Sequence, residues 1–359
     1  MLSSTEQIAF ILLVVVCGGL AFQGFRRIYV IVSQGKPSYR TDDFPLRLIK
    51  ALIDVGLQKP VFKARPIVSI FHAFIFFGFS FYLLVNVNDL LEAYVEGWTT
   101  IGSSNPVAQG FNLFSDLFSI FVLVGIIYFL IRRFIGKPKV FEFNNNVKLQ
   151  AEVESGGIRK DSLIVGVFII FHVGARWLGT AFHLAESETT EWSMPTASLV
   201  APFFFGWEGV ETGIHVTWWL AMGLIVLFLP YFPRSKHIHI FLAPLNLAFT
   251  NREAKGKLME PTDSSSPGAS SLDELPWKQV FDSYACIMCT RCHEVCPAHH
   301  SGTPLSPSAL EINKRYFINQ NAAGLVNGST KLDLLQDAIS EDAVWSCATC
   351  MACVEGCPV

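Results

Sequence analysis

Long apolar runs alternate along the chain with short acidic connections and two longer basic ones, and the length of each run decides what it predicts. Residues 8 to 25, from Ile8 through Leu12, Val16 and Phe22, stay apolar for close to the ~20 residues of helix that cross a bilayer. No basic residue lies between Met1 and Gln7, whereas Arg26 and Arg27 follow the run. A retained transmembrane helix is therefore expected there, not a cleaved signal sequence. Four more runs of similar length, 67–91, 110–131, 161–184 and 212–231, predict four further spans. Pro230 and Pro233 then break or kink the chain. The polar stretch around Pro261-Thr-Asp-Ser-Ser-Ser-Pro267-Gly268 predicts a flexible linker over 251–274. Beyond it, apolar residues at helical spacing over Ser308–Gln320 (Leu310, Ile312, Phe317) and Leu332–Ile339 (Leu332, Leu335, Ile339) predict helices and not a short mixed fold. The expected fold is an all-α membrane protein, with a membrane domain over 1–250, the linker, and a helical domain over 275–359.

Composition agrees with that division. The 359 residues are 51% hydrophobic and 16% charged, and the mean hydropathy is +0.40, far from an average soluble protein. A net charge of −3 offers no basic footprint for nucleic acid, so the expected surroundings are membrane lipid. Arg26 to Arg65 carries nine basic residues and Arg132 to Lys160 seven, while no Lys or Arg lies between Ile67 and Ile131. The other two connections are acidic, with Asp89, Glu92 and Glu96 in one and Glu186, Glu188, Glu191, Glu208 and Glu211 in the other. Positive residues remain on the cytoplasmic side, so the N-terminus is expected outside and the C-terminal part in the cytoplasm.

Eight of the nine cysteines form two copies of one pattern: Cys286, Cys289, Cys292 and Cys296 before Pro297, and Cys347, Cys350, Cys353 and Cys357 before Pro358. This C-x₂-C-x₂-C-x₃-C-P run holds [4Fe–4S] clusters in two-cluster ferredoxins, where the fourth cysteine ligates the other cluster. One cluster is therefore expected on Cys286, Cys289, Cys292 and Cys357, and a second on Cys347, Cys350, Cys353 and Cys296. Structural zinc has no use for a third cysteine at the same spacing, and disulfides do not suit free thiolates on the reducing, cytoplasmic side. Cys17, in the first apolar run, is expected to be a small buried hydrophobe.

Histidine inside hydrocarbon is costly and calls for a partner, which singles out His72, His172, His183 and His215. His172 and His183 lie three helical turns apart on one face of the fourth span, a spacing that suits one axial ligand to each of two stacked haems. The competing reading is a pair of helix-packing histidines. With opposite directions of spans four and five, His183 and His215 are both near the outer face, while the inner partner of His172 is open among His72, His237 and His239. Arg176, one turn after His172, suits a haem propionate, a quinone or a helix-pairing ion. Asp116, near the outer end of the third span, is expected to face water.

Phe171-His172-Val-Gly174 with His183 beyond it, and Pro233 through His237, His239 and Pro244, resemble the haem-binding helices of the respiratory nitrate reductase gamma subunit. That resemblance implies a nitrate reductase gamma-like five-helix bundle with two b haems, His172 paired with His239 and His183 with His215. The interval from His215 to His239 is longer than in that family, which keeps His72 and His237 open as inner ligands. Trp277 through Cys286, Gly302 through Pro307 and Trp345 through Cys350 are similar to heterodisulfide reductase-related iron–sulfur membrane proteins, among them the electron-transfer flavoprotein:menaquinone oxidoreductases. The two resemblances together imply an oxidoreductase of the cytoplasmic membrane that passes electrons from electron-transfer flavoprotein to menaquinone. The alternative is a non-catalytic, electron-relaying anchor subunit of a disulfide reductase or similar complex. Members of the second family continue into further cysteine-rich modules, so a C-terminal truncation after Val359 is also expected.

Overall fold

The computed structural model describes residues 2–37, 42–250 and 268–359. Five described helices are long and apolar enough to cross a membrane: α1 (Ser4–Ser33), α4 (Pro66–Tyr94), α5 (Pro106–Gly136), α6 (Gly157–Glu186) and α8 (Val210–Phe228). All five overlap the expected spans, and the first four run several residues longer. The fifth ends at Phe228, because Pro230 and Pro233 cannot continue the ladder. Shorter helices fill the connections: α2 (Phe44–Gly56) and α3 (Lys59–Ala64) between the first two spans, and α7 (Pro195–Val200) between the last two. The C-terminal third holds α9 (His239–Ala248), α10 (Trp277–Ala285), α11 (Arg291–Glu294), α12 (Pro297–His300), α13 (Pro307–Asn327), α14 (Glu341–Trp345) and α15 (Ala352–Glu355). Among the described residues only isolated bridges stand in for β-structure.

The chain divides into two compact units, Met1–Ala21 with Ile67–Gly136 and Ser162–Tyr231, and Phe22–Pro66 with Lys137–Asp161 and Phe232–Val359. This differs from the sequential division expected at residues 250 and 275. The first basic connection, and the second from Lys137 on, belong to the unit that carries the two cysteine motifs. Most of the expected linker lies outside the described residues; its last part is folded, with Ser271 bridged to Asp333 and Leu272 buried.

In the first unit, glycines let helices approach closely. A Cβ on Gly78 would collide with Val122, and one on Gly125 would sit 2.9 Å from both Ile75 and the carbonyl of Phe71, so α4 and α5 meet at short range. Phe71 stacks on Tyr128 along the same seam, at 3.8 Å between ring centroids. Gly179 of α6 faces Thr217 of α8 in the same way. Cys17 is buried with Phe10, Met222 and Val226, as a small hydrophobe would be.

In the second unit, Val153 and Ile158 of the second basic connection pack with Met288, Ile312 and Tyr316. The side chain of Asn313 bridges the carbonyls of Lys148 and Ala338, both at 2.8 Å. α2 lies along α9, where Phe44 stacks on Phe249 at 5.3 Å and Arg47 donates to the carbonyls of Ala248 and Thr250.

Candidate functional site

The two cysteine loops repeat one backbone conformation. In the first, Met288 and Thr290 have φ of 55° and 66°; in the second, Thr349 and Met351, at the same places relative to their cysteines, have 51° and 61°. Left-handed backbone on non-glycine residues costs about 1–3 kcal/mol each and persists where surroundings over-determine it. Here it turns amides inward: Met288 N–H donates to Cys286 Sγ at 3.5 Å and Thr349 N–H to Cys347 Sγ at 3.4 Å. A short helix follows at the same register in each, α11 and α15.

Each fourth cysteine has a neighbour in the other loop. The thiol of Cys357 lies within electrostatic range of Cys286, Cys289 and Cys292, and that of Cys353 within range of Cys296 and Cys347. Burial pushes the thiols of Cys286 and Cys292 up, so each would ionise only where a cation takes up the charge. Among the described residues no three His, Cys, Asp or Glu side chains converge as on a single metal ion. The inward amides supply the hydrogen bonds to sulfur that iron–sulfur clusters use, and each loop repeats the three-cysteine spacing of a four-iron site. The donor set therefore fits a pair of four-iron clusters better than zinc. The two cradles differ in cover: Cys286, Cys289 and Cys292 are half-buried, whereas Cys347 and Cys350 are exposed.

His237 and His239 share the second unit with the first cysteine loop. Their rings are 6.2 Å apart, and burial, with His239 and Lys236 nearby, pushes His237 down to about 3. His239 Nδ1 donates to the carbonyl of Lys236 at 2.9 Å. The segment ahead of them is tied to the loop by the buried Arg315, whose guanidinium donates to the carbonyls of Ser235 and of Tyr284, two residues before Cys286. Sequence reasoning missed Arg315. Nothing in the residue order sets it apart from the neighbouring Lys314, which is buried as well.

His72, His172, His183 and His215 lie in the first unit. His172 Nδ1 donates to the carbonyl of Ala221 at 2.9 Å, which lies in a π turn of α8 over Trp219–Gly223. His215 Nδ1 donates to Glu6 at 2.9 Å, and Trp219 Nε1 shares that carboxylate. Because a carbonyl or carboxylate can only accept, each of these imidazoles carries a proton on Nδ1, and in its neutral form leaves the Nε2 lone pair for a ligand, the arrangement found behind metal-bound histidines. His183 Nδ1 is 3.8 Å from Glu186. His72 is half-buried on α4.

His183 lines a cavity of about 40 Å³ with Asp89, Glu92, Arg176, Thr180 and Trp218. That is room for a few waters, so side chains would have to part for a macrocycle to lie there. His215 is turned to Glu6 and does not line this cavity. Arg176 pairs with Asp89 at 3.3 Å and donates to Thr180, which makes it a helix-pairing ion in this structure. Asp89, expected in an outer acidic connection, is buried on α4. Asp116 departs from expectation as well: it is buried and accepts from the backbone of Thr196 and Ala197 and from the Thr196 hydroxyl, capping α7.

Residues 278–358 match the model of the 4Fe-4S dicluster domain. Over nearly its whole length the chain is similar to two curated proteins. It is 27% identical to the "Probable iron-sulfur-binding oxidoreductase FadF" of Bacillus subtilis, over 91% of this chain and 50% of that protein. It is 24% identical to the "EtfAB:quinone oxidoreductase" of Syntrophomonas wolfei, over 99% and 52%. A "Probable membrane-anchored ferredoxin" of Chromohalobacter salexigens is 28% identical over 34% of this chain. The chain spans about half the length of the first two relatives. No solved structure matches it. With five candidate membrane helices followed by a 4Fe–4S dicluster domain, the chain is similar to membrane-associated iron–sulfur oxidoreductases.

Proposed function

We propose that the chain moves electrons between a cytosolic donor and a membrane quinone. When bound, four-iron clusters and b haems supply one-electron chemistry. Cys286, Cys289, Cys292 and Cys357 would hold one cluster, and Cys347, Cys350, Cys353 and Cys296 the other. His183 and His215 would ligate an outer haem. The inner one falls to His172 with His239, with His72 and His237 as alternatives. The membrane would be the cytoplasmic one, with the N-terminus outside and the cysteines on the cytoplasmic side, where the two basic connections also belong. The printed name of the Syntrophomonas relative supports electron-transfer flavoprotein as donor and a quinone, here menaquinone, as acceptor.

One observation carries this reading: a single compact unit holds both the first cysteine loop and the His237–His239 segment, joined through Arg315. A route from cluster to haem needs that proximity. The test is to reduce the purified chain with dithionite, measure haem by pyridine haemochrome and cluster signals by paramagnetic resonance, then add a menaquinone analogue. Two haems per chain, reoxidised by the quinone, is the expected result. No haem would overturn the haem assignment. Haem that the quinone fails to reoxidise would favour the relaying anchor, a role that the membrane-anchored ferredoxin relative makes the second reading.

A further inference from the structure

α2 is apolar on two sides. One side, with Phe44, Ala51 and the stem of Arg47, lies against α9. On the other, Leu46, Ile49, Ile53 and Leu57 recur at helical spacing and stay 67%, 55%, 52% and 61% exposed. Side chains at these intervals form one continuous stripe, an apolar surface on the order of the several hundred Å² that marks an interaction site. Lys50 and Asp54 border the stripe, and Lys59 and Lys63 follow on α3, all three lysines exposed.

Three observations identify lipid as the occupant. α2 has 13 residues, well short of the ~20 that cross a bilayer and within the length of helices that lie on one. Its chain neighbours are span-length helices on both sides, one ending at Ser33 and the next starting at Pro66. The bilayer is therefore within chain reach of both ends. The lysines beside the stripe have long stems that place their ammonium groups among headgroups while the apolar residues reach the acyl boundary.

We propose that α2 is an in-plane membrane-surface helix, with Leu46, Ile49, Ile53 and Leu57 seated in the lipid. This anchor grips the first cysteine loop. Arg65, just past α3, donates to the carbonyl of Cys289 at 3.0 Å and pairs with Glu294 at 2.6 Å, and Arg291 donates back to the carbonyl of Val61. Lipid contact on α2 would therefore set how close the first cradle stands to the membrane. The proposal rests on the candidate membrane helices and is independent of the electron-transfer reading.

The test places the photo-crosslinking residue p-benzoylphenylalanine at Ile49 or Ile53, with Glu341 of α14 as the exposed control, in the full chain in phosphatidylglycerol nanodiscs containing radiolabelled lipid. After illumination, lipid adducts at residues 49 and 53 should exceed those at 341 by at least about fivefold. Lipid labelling no higher than at Glu341 would overturn the proposal, as would crosslinking chiefly to a second copy of the chain. Where one variant fails to load its clusters, the crosslinker moves to Leu46 or Leu57, and the same outcomes apply.

Discussion

Arg315 Nη1 donates to the carbonyl oxygen of Tyr284 at 2.9 Å, with its guanidinium 4.9 Å above the tyrosine ring. The other nitrogen, Nη2, reaches the carbonyl of Ser235 at 3.0 Å. Removing the cation would strip buried acceptors of their donors, at about 1–3 kcal/mol for each one left bare. Arg315→Met should therefore lower the thermal midpoint of the purified chain by several degrees, with iron lost from the first cradle before the second. Calorimetry and paramagnetic resonance on heated samples check this, and an unchanged midpoint would refute it.

Cys296→Ser and Cys357→Ser should each damage the cluster held mostly by the other motif, because Cys357 neighbours Cys286, Cys289 and Cys292 while Cys296 neighbours Cys353. Resonance spectra of each variant separate the two signals. If Cys296→Ser instead cost the chain the cluster on Cys286, Cys289 and Cys292 alone, the crossed assignment would fall.

His183→Ala should remove one haem of the proposed two and leave both cluster signals intact, since His183 belongs to the unit without cysteine motifs. His239→Ala should also cost one haem, the inner one. Haem stoichiometry is the readout. Retention of both haems in His239→Ala would move the inner ligand to His72 or His237.

Gly125→Val should destabilise the α4–α5 pair, because its Cβ would stand 2.9 Å from the Phe71 carbonyl, a backbone atom with little freedom to yield. Overpacking of this kind costs about 1–3 kcal/mol. Gly110→Ala, on the same helix, meets nothing within 4 Å and should leave stability almost unchanged. Thermal unfolding of both variants in one detergent makes the comparison, and equal midpoints would show that the glycine contact is not limiting.

The cysteine pattern and the five candidate spans were legible in the residue order because both are local. Ligand spacing is a matter of covalent reach, and the length of an apolar run is a count along one helix. The paired histidines of α6 were visible for the same reason. Other features depend on which distant surfaces meet. Arg176 finds Asp89 across 87 residues, and Asp116 caps a helix that starts 79 positions later. The first basic connection, and the second from Lys137 on, fold into the unit of the two cysteine motifs, where Arg65 and Asn313 fasten them. Residue order marked those connections by charge alone. Their docking is decided by buried carbonyls that need donors and apolar side chains that need cover, conditions that arise only once the helices pack.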